Sequence, residues 1–364
     1  MKIGFIKHRY VSEGGGSERY TNALIGELLN LRHEIHVFAR TGEPTKSIVL
    51  HQVPVLGGPS FVRQWSFARA CKRMVQSAAC DLTFSADRTI FQDIARAGGG
   101  CHREYLRQCR RYFSPAKRLA MRFNPLHPTL LHLERQTFSE RNTKWIIANS
   151  HRGKEEIVRH YGFPAERIEV IHNGTDCERF RPKNRGETDK IVLLFVGSGF
   201  ERKGLGFAIE ALAKLPQNVE LRIAGKGNAK PYLRTASDLD VESRVHFLGV
   251  QQRIEDVYAQ GDVLVHPAIY EPFSNACLEA MACGLPVVTS RINGASEVIE
   301  QSRNGAVVED PSDIAALAGA IELFCNRKQL RDASAHARRT AEAMPMTLNV
   351  ERTLAVIRRV LDKK

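Results

Sequence analysis

No apolar run in the 364 residues approaches the roughly 18 that a membrane-spanning helix needs, which excludes an integral helical membrane protein. The stretch Met1-Lys2-Ile3-Gly4-Phe5-Ile6-Lys7 is too short in apolar residues for an export signal and reads as a first strand. The eight cysteines (Cys71, Cys80, Cys101, Cys109, Cys177, Cys277, Cys283 and Cys325) have no paired metal-ligand spacing. No His/Cys cluster and no Asp-x-Asp pair in a suitable loop accompanies them, so no metal or other cofactor is expected. In a chain without an export signal they are expected as free thiols in a reducing cytosol, nearly all of them acting as small buried hydrophobes. Acidic residues are scarce in one half only. Residues 1–180 carry 28 Lys+Arg against 17 Asp+Glu, a net +11 of the chain's +13, while the remainder carries 25 against 23. A basic half calls for an acidic partner. Because no recognised nucleic-acid motif accompanies the charge, that partner is expected to be anionic lipid or a phosphorylated substrate.

What is present is ordinary for a globular protein: 43% hydrophobic and 26% charged residues, over a length that fits two domains. Residues 3–7 read as a strand, and 17–31 as a helix with Tyr20, Leu24, Leu28 and Leu31 on one face. Between them, Gly14, Gly15, Gly16 and the helix start at Ser17 form a phosphate-loop-like turn that lacks the later glycine of a dinucleotide fingerprint. Strands at 34–39 and 48–53, a helix at 65–78 and a short strand near 81–84 continue the alternation, which means a parallel, doubly wound sheet. A strand at 94–97 leads to a second glycine turn, Gly98-Gly99-Gly100-Cys101, which presents His102. From 103 to 122 there are then seven basic residues and one acidic, interleaved with Tyr105, Leu106, Tyr112, Phe113 and Leu119. Such a stretch suits the headgroup layer of an anionic membrane, or equally a phosphorylated acceptor. Strands at 144–149 and 167–172 flank a helix at 150–161. A polar, glycine- and proline-bearing run from Asn173 to Lys190 then reads as a linker. This divides the chain into an α/β domain at 1–180, a second at 181–345 and a final helical segment at 346–364.

The second domain restarts the pattern. A strand at 191–196 ends at Gly197 and a turn carrying Arg202 and Lys203; one at 220–224 leads to Lys226, and one at 244–248 to Val250. All these turns open at the C-terminal edge of one sheet, where ligands of open α/β sheets collect. A helix is expected to start at 292–295, a last strand at 304–308, and closing helices at 311–325 and 348–361.

The stretch from Tyr270 to Pro286 organises the rest. Asp262-Val263-Leu264-Val265-His266 is a buried strand, Ser274 or Asn275 caps a helix that stops at Gly284, and Val287-Val288-Thr289 starts the next strand. Glu271 falls in the strand-to-helix loop, and Glu279 inside the helix beside an N-terminus suited to phosphate. Two carboxylates are also what a glycosidase uses, but hydrolysis does not require a paired Arg-Lys phosphate site.

Glu, seven residues, Glu, then a small residue and Gly-Leu-Pro-Val-Val, as found at 271–288, resembles the retaining nucleotide-sugar glycosyltransferases of the GT-B fold, family 4. The hinge-like Asn-Gly-x-Asp…Phe-x-Pro segment at 173–182 is similar too. The resemblance implies two Rossmann-like domains and a final helix that returns to the first. It implies that Glu271 meets the transferred sugar, Glu279 the ribose, and Arg202 with Lys203 the diphosphate. Phe273, Ser274 and Asn275 would add donors at the helix start, with Gly15 and Gly16 facing the nucleotide sugar from the first domain. His102 takes the place from which several members present a histidine, although its Gly-Gly-Gly-Cys-His setting differs. Retention implies attack on the face from which the nucleotide leaves, the acceptor's proton passing to the departing phosphate. Within the family the motifs look most like glucosyltransferases of the lipopolysaccharide core. That implies UDP-glucose as donor, a glycolipid acceptor, and a cytoplasmic enzyme held peripherally at an anionic membrane face. GDP-mannose or UDP-N-acetylglucosamine users with exopolysaccharide or soluble acceptors share the same glutamates, and a non-catalytic nucleotide-sugar binder is the reading from another class.

Overall fold

The computed structural model describes all residues except 12–14, 44, 184, 185, 187, 363 and 364. It divides into two units, Met1–His172 with Met346–Lys364, and Asn173–Pro345. Residues 173–180 therefore pack with the second unit. Phe180 is buried there against Tyr258, their rings 5.9 Å apart, and the Thr175 N–H donates to the Met344 carbonyl.

In the first unit, strands β1 (Lys2–Tyr10), β2 (Glu34–Gly42), β3 (Val49–Gln52), β4 (Leu82–Ser85), β5 (Ile94–Arg96), β6 (Trp145–Ala148) and β7 (Ile168–Val170) form one sheet. Its order is β3-β2-β1-β4-β5-β6-β7, with parallel pairing throughout. Helices α1 (Gly16–Asn30) and α2 (Ser60–Ser77) cover opposite faces. Ile3 and Phe5 of β1 pack with Leu24 and Leu28 of α1, whereas Ile6 points the other way to Phe67 and Cys71 of α2. The basic segment becomes three helices, α3 (His102–Tyr112), α4 (Pro115–Arg122) and α5 (Leu126–Thr137), and α6 (His151–Tyr161) precedes β7.

The second unit carries β8 (Ile191–Val196), α7 (Leu205–Leu212), β9 (Val219–Ala224), α8 (Lys230–Asp238), β10 (Val245–Gly249) and α9 (Ile254–Tyr258). After these come β11 (Val263–His266), α10 (Asn275–Ala282), β12 (Val287–Ser290), β13 (Gly305–Val308), α11 (Ile314–Glu322) and α12 (Arg327–Glu342). Every residue of β8 is buried, and its side chains alternate between two cores. Ile191, Leu193 and Phe195 meet Leu205, Leu212 and Ile321, while Val192, Leu194 and Val196 meet Leu278, Met281 and Ala337. A strand buried on both faces must be apolar at every position, which is why 191–196 shows no polar alternation. The helix α13 (Met346–Leu361) belongs to the first unit, where Val356, Ile357 and Val360 join the α1 core.

Two local expectations are corrected. The segment from 292 forms only a short 3₁₀ turn, Gly294–Val298: the Asn293 side chain caps it at the Ala295 N–H, and β13 follows within a few residues. Helix α12 was not expected at all, because its buried stripe is Ala333, Ala337 and Ala341 with a single Leu330. All eight cysteines are free thiols, five of them buried.

Candidate functional site

The second sheet runs β10-β9-β8-β11-β12-β13, so the chain leaves β8 to one side and β11 to the other. The crevice at the C-terminal ends of β8 and β11 is therefore the point where the strand order reverses, and such crevices hold ligands in open α/β sheets. Two loops meet there. The Arg202 carbonyl accepts the Ile269 N–H at 2.9 Å, joining the loop after β8 to the loop after β11. Gly204 closes the first loop at φ +80°, where a Cβ would strike the Pro267 carbonyl oxygen. Gly197 opens it at φ +132°, and a Cβ there would occupy the place of the Lys203 ammonium.

Arg202, Lys203 and Glu271 come together. Arg202 Nη1 donates to Glu271 Oε2 at 2.7 Å and to the Tyr270 carbonyl at 2.8 Å, and Lys203 Nζ lies 3.9 Å from the same carboxylate oxygen. The Glu271 backbone is pinned as well, its carbonyl accepting the Gly294 N–H at 2.9 Å. Between residues 271 and 283 all side chains are buried except those of Glu271, Asn275 and Glu279, which are half-buried. Their spacing of four puts Asn275 and Glu279 on one side of α10, while Glu271 lies in the loop before it. Glu279 Oε2 accepts the Tyr258 hydroxyl at 3.0 Å, which fixes its direction. Phe273 is buried in the core beneath α10. Lys226 lies beyond β9, its N–H 3.3 Å from Ser198 Oγ, and Val250 is exposed beyond β10; neither is among the groups paired with Glu271.

Ser274 stands at the N-cap of α10 but does not cap it. Its Oγ lies 2.9 Å from His266 Nδ1, and its N–H donates to Asn293 Oδ1 at 3.2 Å. Asn275 is engaged sideways, its Oδ1 accepting Asn173 Nδ2 at 2.6 Å. Burial, reinforced by Lys203 and Arg202, pushes the His266 pKa well down and keeps the imidazole neutral. Burial likewise holds the Cys277 thiol protonated, its pKa pushed up to about 12. Gly284 ends the helix with φ +79°. A first turn without a side-chain cap keeps its N–H groups and the positive end of the helix dipole available to an anion. His266, Asn173 and Asn293 were not singled out from the sequence; each looked like an ordinary strand end or turn residue.

His102, Gly15 and Gly16 belong to the first unit. Gly15 precedes α1 in extended backbone and Gly16 is its first residue, neither with positive φ; the expected glycine turn also included Gly14, which lies outside the described residues. Under this turn Lys7 is buried, its Nζ donating to the Ser17 carbonyl at 3.1 Å and to Thr21 Oγ1 at 3.1 Å. His102 opens α3, buried, with Nε2 3.0 Å from His127 Nδ1. Burial, then Arg88 and His127, lowers its pKa to about 3, so it is a neutral hydrogen-bonding group rather than a cation. Its backbone N–H donates to Glu134 Oε1 at 2.6 Å, and the Arg103 N–H to Glu134 Oε2 at 3.1 Å. A carboxylate from α5 thus closes the N-terminus of α3.

Two parallel-sheet Rossmann-like domains in one chain, with a cationic strand-end crevice in the second, are the architecture of the GT-B fold. Residues 14–179 match the family model described as Glycosyltransferase Family 4, and residues 176–341 the one described as Glycosyl transferases group 1. Together they span nearly the whole sequence, so each half carries a glycosyltransferase domain and the chain is a glycosyltransferase. It is 25% identical over 381 aligned residues, covering 100% of both chains, to lipopolysaccharide glucosyltransferase WaaG of Escherichia coli (strain K12). The solved structure of WaaG, a glycosyltransferase involved in lipopolysaccharide biosynthesis, matches with a TM-score of 0.80 at 24% identity, over 96% of this chain and 98% of that one. HepE of Anabaena, solved in complex with UDP-glucose, matches with a TM-score of 0.68 at 20% identity, over 98% and 99% of the two chains.

Proposed function

We propose that this glycosyltransferase moves a hexose, with retention and without a metal, from UDP-glucose to a lipopolysaccharide core or similar glycolipid acceptor. The observation that carries the donor reading is the convergence of Arg202 and Lys203 on Glu271 at the strand-order reversal, beside an uncapped α10. Two cations and a helix N-terminus oppose the charge that builds on a departing diphosphate, the service a divalent ion would otherwise supply. As the bond from the anomeric carbon to phosphate breaks and the bond to the acceptor oxygen forms, the acceptor's proton passes to the leaving phosphate oxygen. Glu271 orients the sugar and Glu279 the ribose. Arg202→Ala is expected to weaken UDP binding by about 1.5–3 kcal/mol, the range for charge-assisted hydrogen bonds, while EDTA leaves the rate unchanged. Undiminished UDP affinity on calorimetry, or a rate that returns only with added metal, overturns the assignment.

The acceptor reading is supported by the likeness over the full length to WaaG, a lipopolysaccharide glucosyltransferase, and by the surface of α3 and α4. Leu119 and Phe123 are 58% and 76% exposed, amid Arg110, Arg111, Lys117, Arg118 and Arg122. A groove of about 900 Å³ runs beside them, lined by Leu106, Met121 and Leu131 and edged by Arg110, Arg118 and Arg122. Bulky apolar groups ringed by cations suit the headgroup layer of an anionic cytoplasmic membrane face, each cation contributing on the order of 1 kcal/mol. In flotation assays the protein is expected to bind anionic but not neutral vesicles, and to leave them as salt rises. Changing Arg110, Arg111, Lys117 and Arg118 to glutamine is expected to abolish that binding. Equal binding by the variant assigns the charge to a phosphorylated acceptor instead.

A further inference from the structure

Among the described residues serine is the N-cap of three helices, and it behaves differently in one of them. Ser114 accepts the Lys117 N–H at the start of α4, and Ser150 accepts the Gly153 N–H at the start of α6. Asp313 and Asn326 cap α11 and α12 in the same way. Ser274 alone does not close its own helix, because its hydroxyl is held by buried His266. The next side chain is also withheld. Asn275 Oδ1 is taken by Asn173 Nδ2 at 2.6 Å, and the same amide reaches towards the Phe273 carbonyl at 3.4 Å. Asn293 Oδ1 meanwhile holds the Ser274 N–H, fixing the backbone at the point where it enters the helix. An N-cap contributes about 1 kcal/mol to an ordinary helix. Forgoing it at one helix, while the same residue type caps two others, requires neighbours that hold the side chain elsewhere.

We propose that His266 and Asn173 are positioning residues for the donor's diphosphate: they draw the side chains of Ser274 and Asn275 off the first turn of α10, leaving its N–H groups to phosphate oxygens. The inference rests on the donor reading above and adds to it a competition within the protein. Without His266 the Ser274 hydroxyl turns back onto the first turn and contends with the phosphate for the same donors. Neither residue needs to touch the nucleotide.

The test uses the full chain with UDP, and with GDP as a second probe. His266→Leu, similar in size but unable to hold the hydroxyl, is expected to weaken UDP binding about fivefold, the fold-change that corresponds to one N-cap. Ser274→Ala alone removes the hydroxyl and keeps the backbone N–H groups, so it is expected to lose less UDP affinity than His266→Leu and sets the reference for the double variant. The double variant is expected to regain most of the lost affinity, since the competing hydroxyl is gone. A purely structural role for His266 does not produce that rescue. Turnover at saturating donor is expected to change less than KM, and His266→Asn, which keeps a polar partner for Ser274, is expected to bind UDP as the wild type does. Should His266→Leu fail to fold, Asn173→Ala provides the second arm, with a loss of the same kind from the released Asn275 side chain. A double variant no tighter than His266→Leu, or His266→Leu and Asn173→Ala both binding as wild type, overturns the proposal while the donor site stands. Wild-type protein that binds neither UDP nor GDP overturns the donor reading and the inference with it.

Discussion

Glu271→Ala is expected to lower turnover with UDP-glucose by about 10²–10³-fold while leaving UDP affinity unchanged or slightly tighter. The asymmetry follows from what the carboxylate touches. Glu271 Oε2 already receives Arg202 at 2.7 Å and faces Lys203 at 3.9 Å, so its removal frees two cations for the diphosphate. The same removal deletes the group assigned to the sugar, and losses confined to the sugar appear in turnover rather than in nucleotide binding. Glu271→Gln keeps the shape and one acceptor but not the charge, and is expected to fall between alanine and wild type. Calorimetry with UDP beside product formation under saturating donor separates the two quantities. Parallel losses in both place Glu271 on the nucleotide and remove it from the sugar.

The second unit's site was legible because its signals are local. Glu271, Glu279 and Gly284 are spaced by one helix and its stop, and that helix lies where the spacing puts it, Asn275–Ala282. The strand-order reversal that makes the place a crevice was not legible, since it depends on β11 pairing with β8 although β9, β10 and their helices come between them in the chain. Nor was the fate of Ser274. A capping residue read from sequence assumes that nothing else claims its hydroxyl, and His266, eight residues earlier, does. Helix α12 escaped for another reason. Its core face is alanine, which marks close packing rather than a hydrophobic stripe, and Ala337 and Ala341 pack beside α10. Arg338 there donates to the Ala282 carbonyl at 2.6 Å and to the Phe180 carbonyl at 2.8 Å, binding the end of α10 to the linker segment. Such long-range polar clamps leave no periodic trace. In the first unit the glycine turn drew attention to His102, but the groups that hold it, Glu134 and His127, lie 32 and 25 residues later and carry no motif.

Glu134 carries the largest stability effect expected in the first unit. It is fully buried, yet its two oxygens accept the His102 and Arg103 N–H groups, Arg88 Nε at 3.2 Å and the Tyr161 hydroxyl. The N-cap residue of α3, Cys101, has no side chain able to do this, so the helix depends on α5 for its first turn. Glu134→Ala leaves the Arg88 cation without its carboxylate partner and two helix N–H groups without acceptors. Breaking a buried charge pair from one side costs about 3–5 kcal/mol. For a unit of this size each kcal/mol moves the midpoint by about 2–4 °C, so its transition is expected to fall by roughly 6–20 °C. Glu134→Gln retains an acceptor for the helix and is expected to cost about 1–3 kcal/mol, chiefly through the loss of the negative charge that faces Arg88. The exposed pair Arg359–Glu169, 3.1 Å apart, is the internal control, since exposed pairs contribute about 0–1 kcal/mol. Because a chain of two units need not unfold in one step, scanning calorimetry should be read transition by transition. Were Glu134→Ala to shift the first unit's transition no more than Glu169→Ala does, the carboxylate would not be what holds α3, and His102 would owe its position to His127 instead.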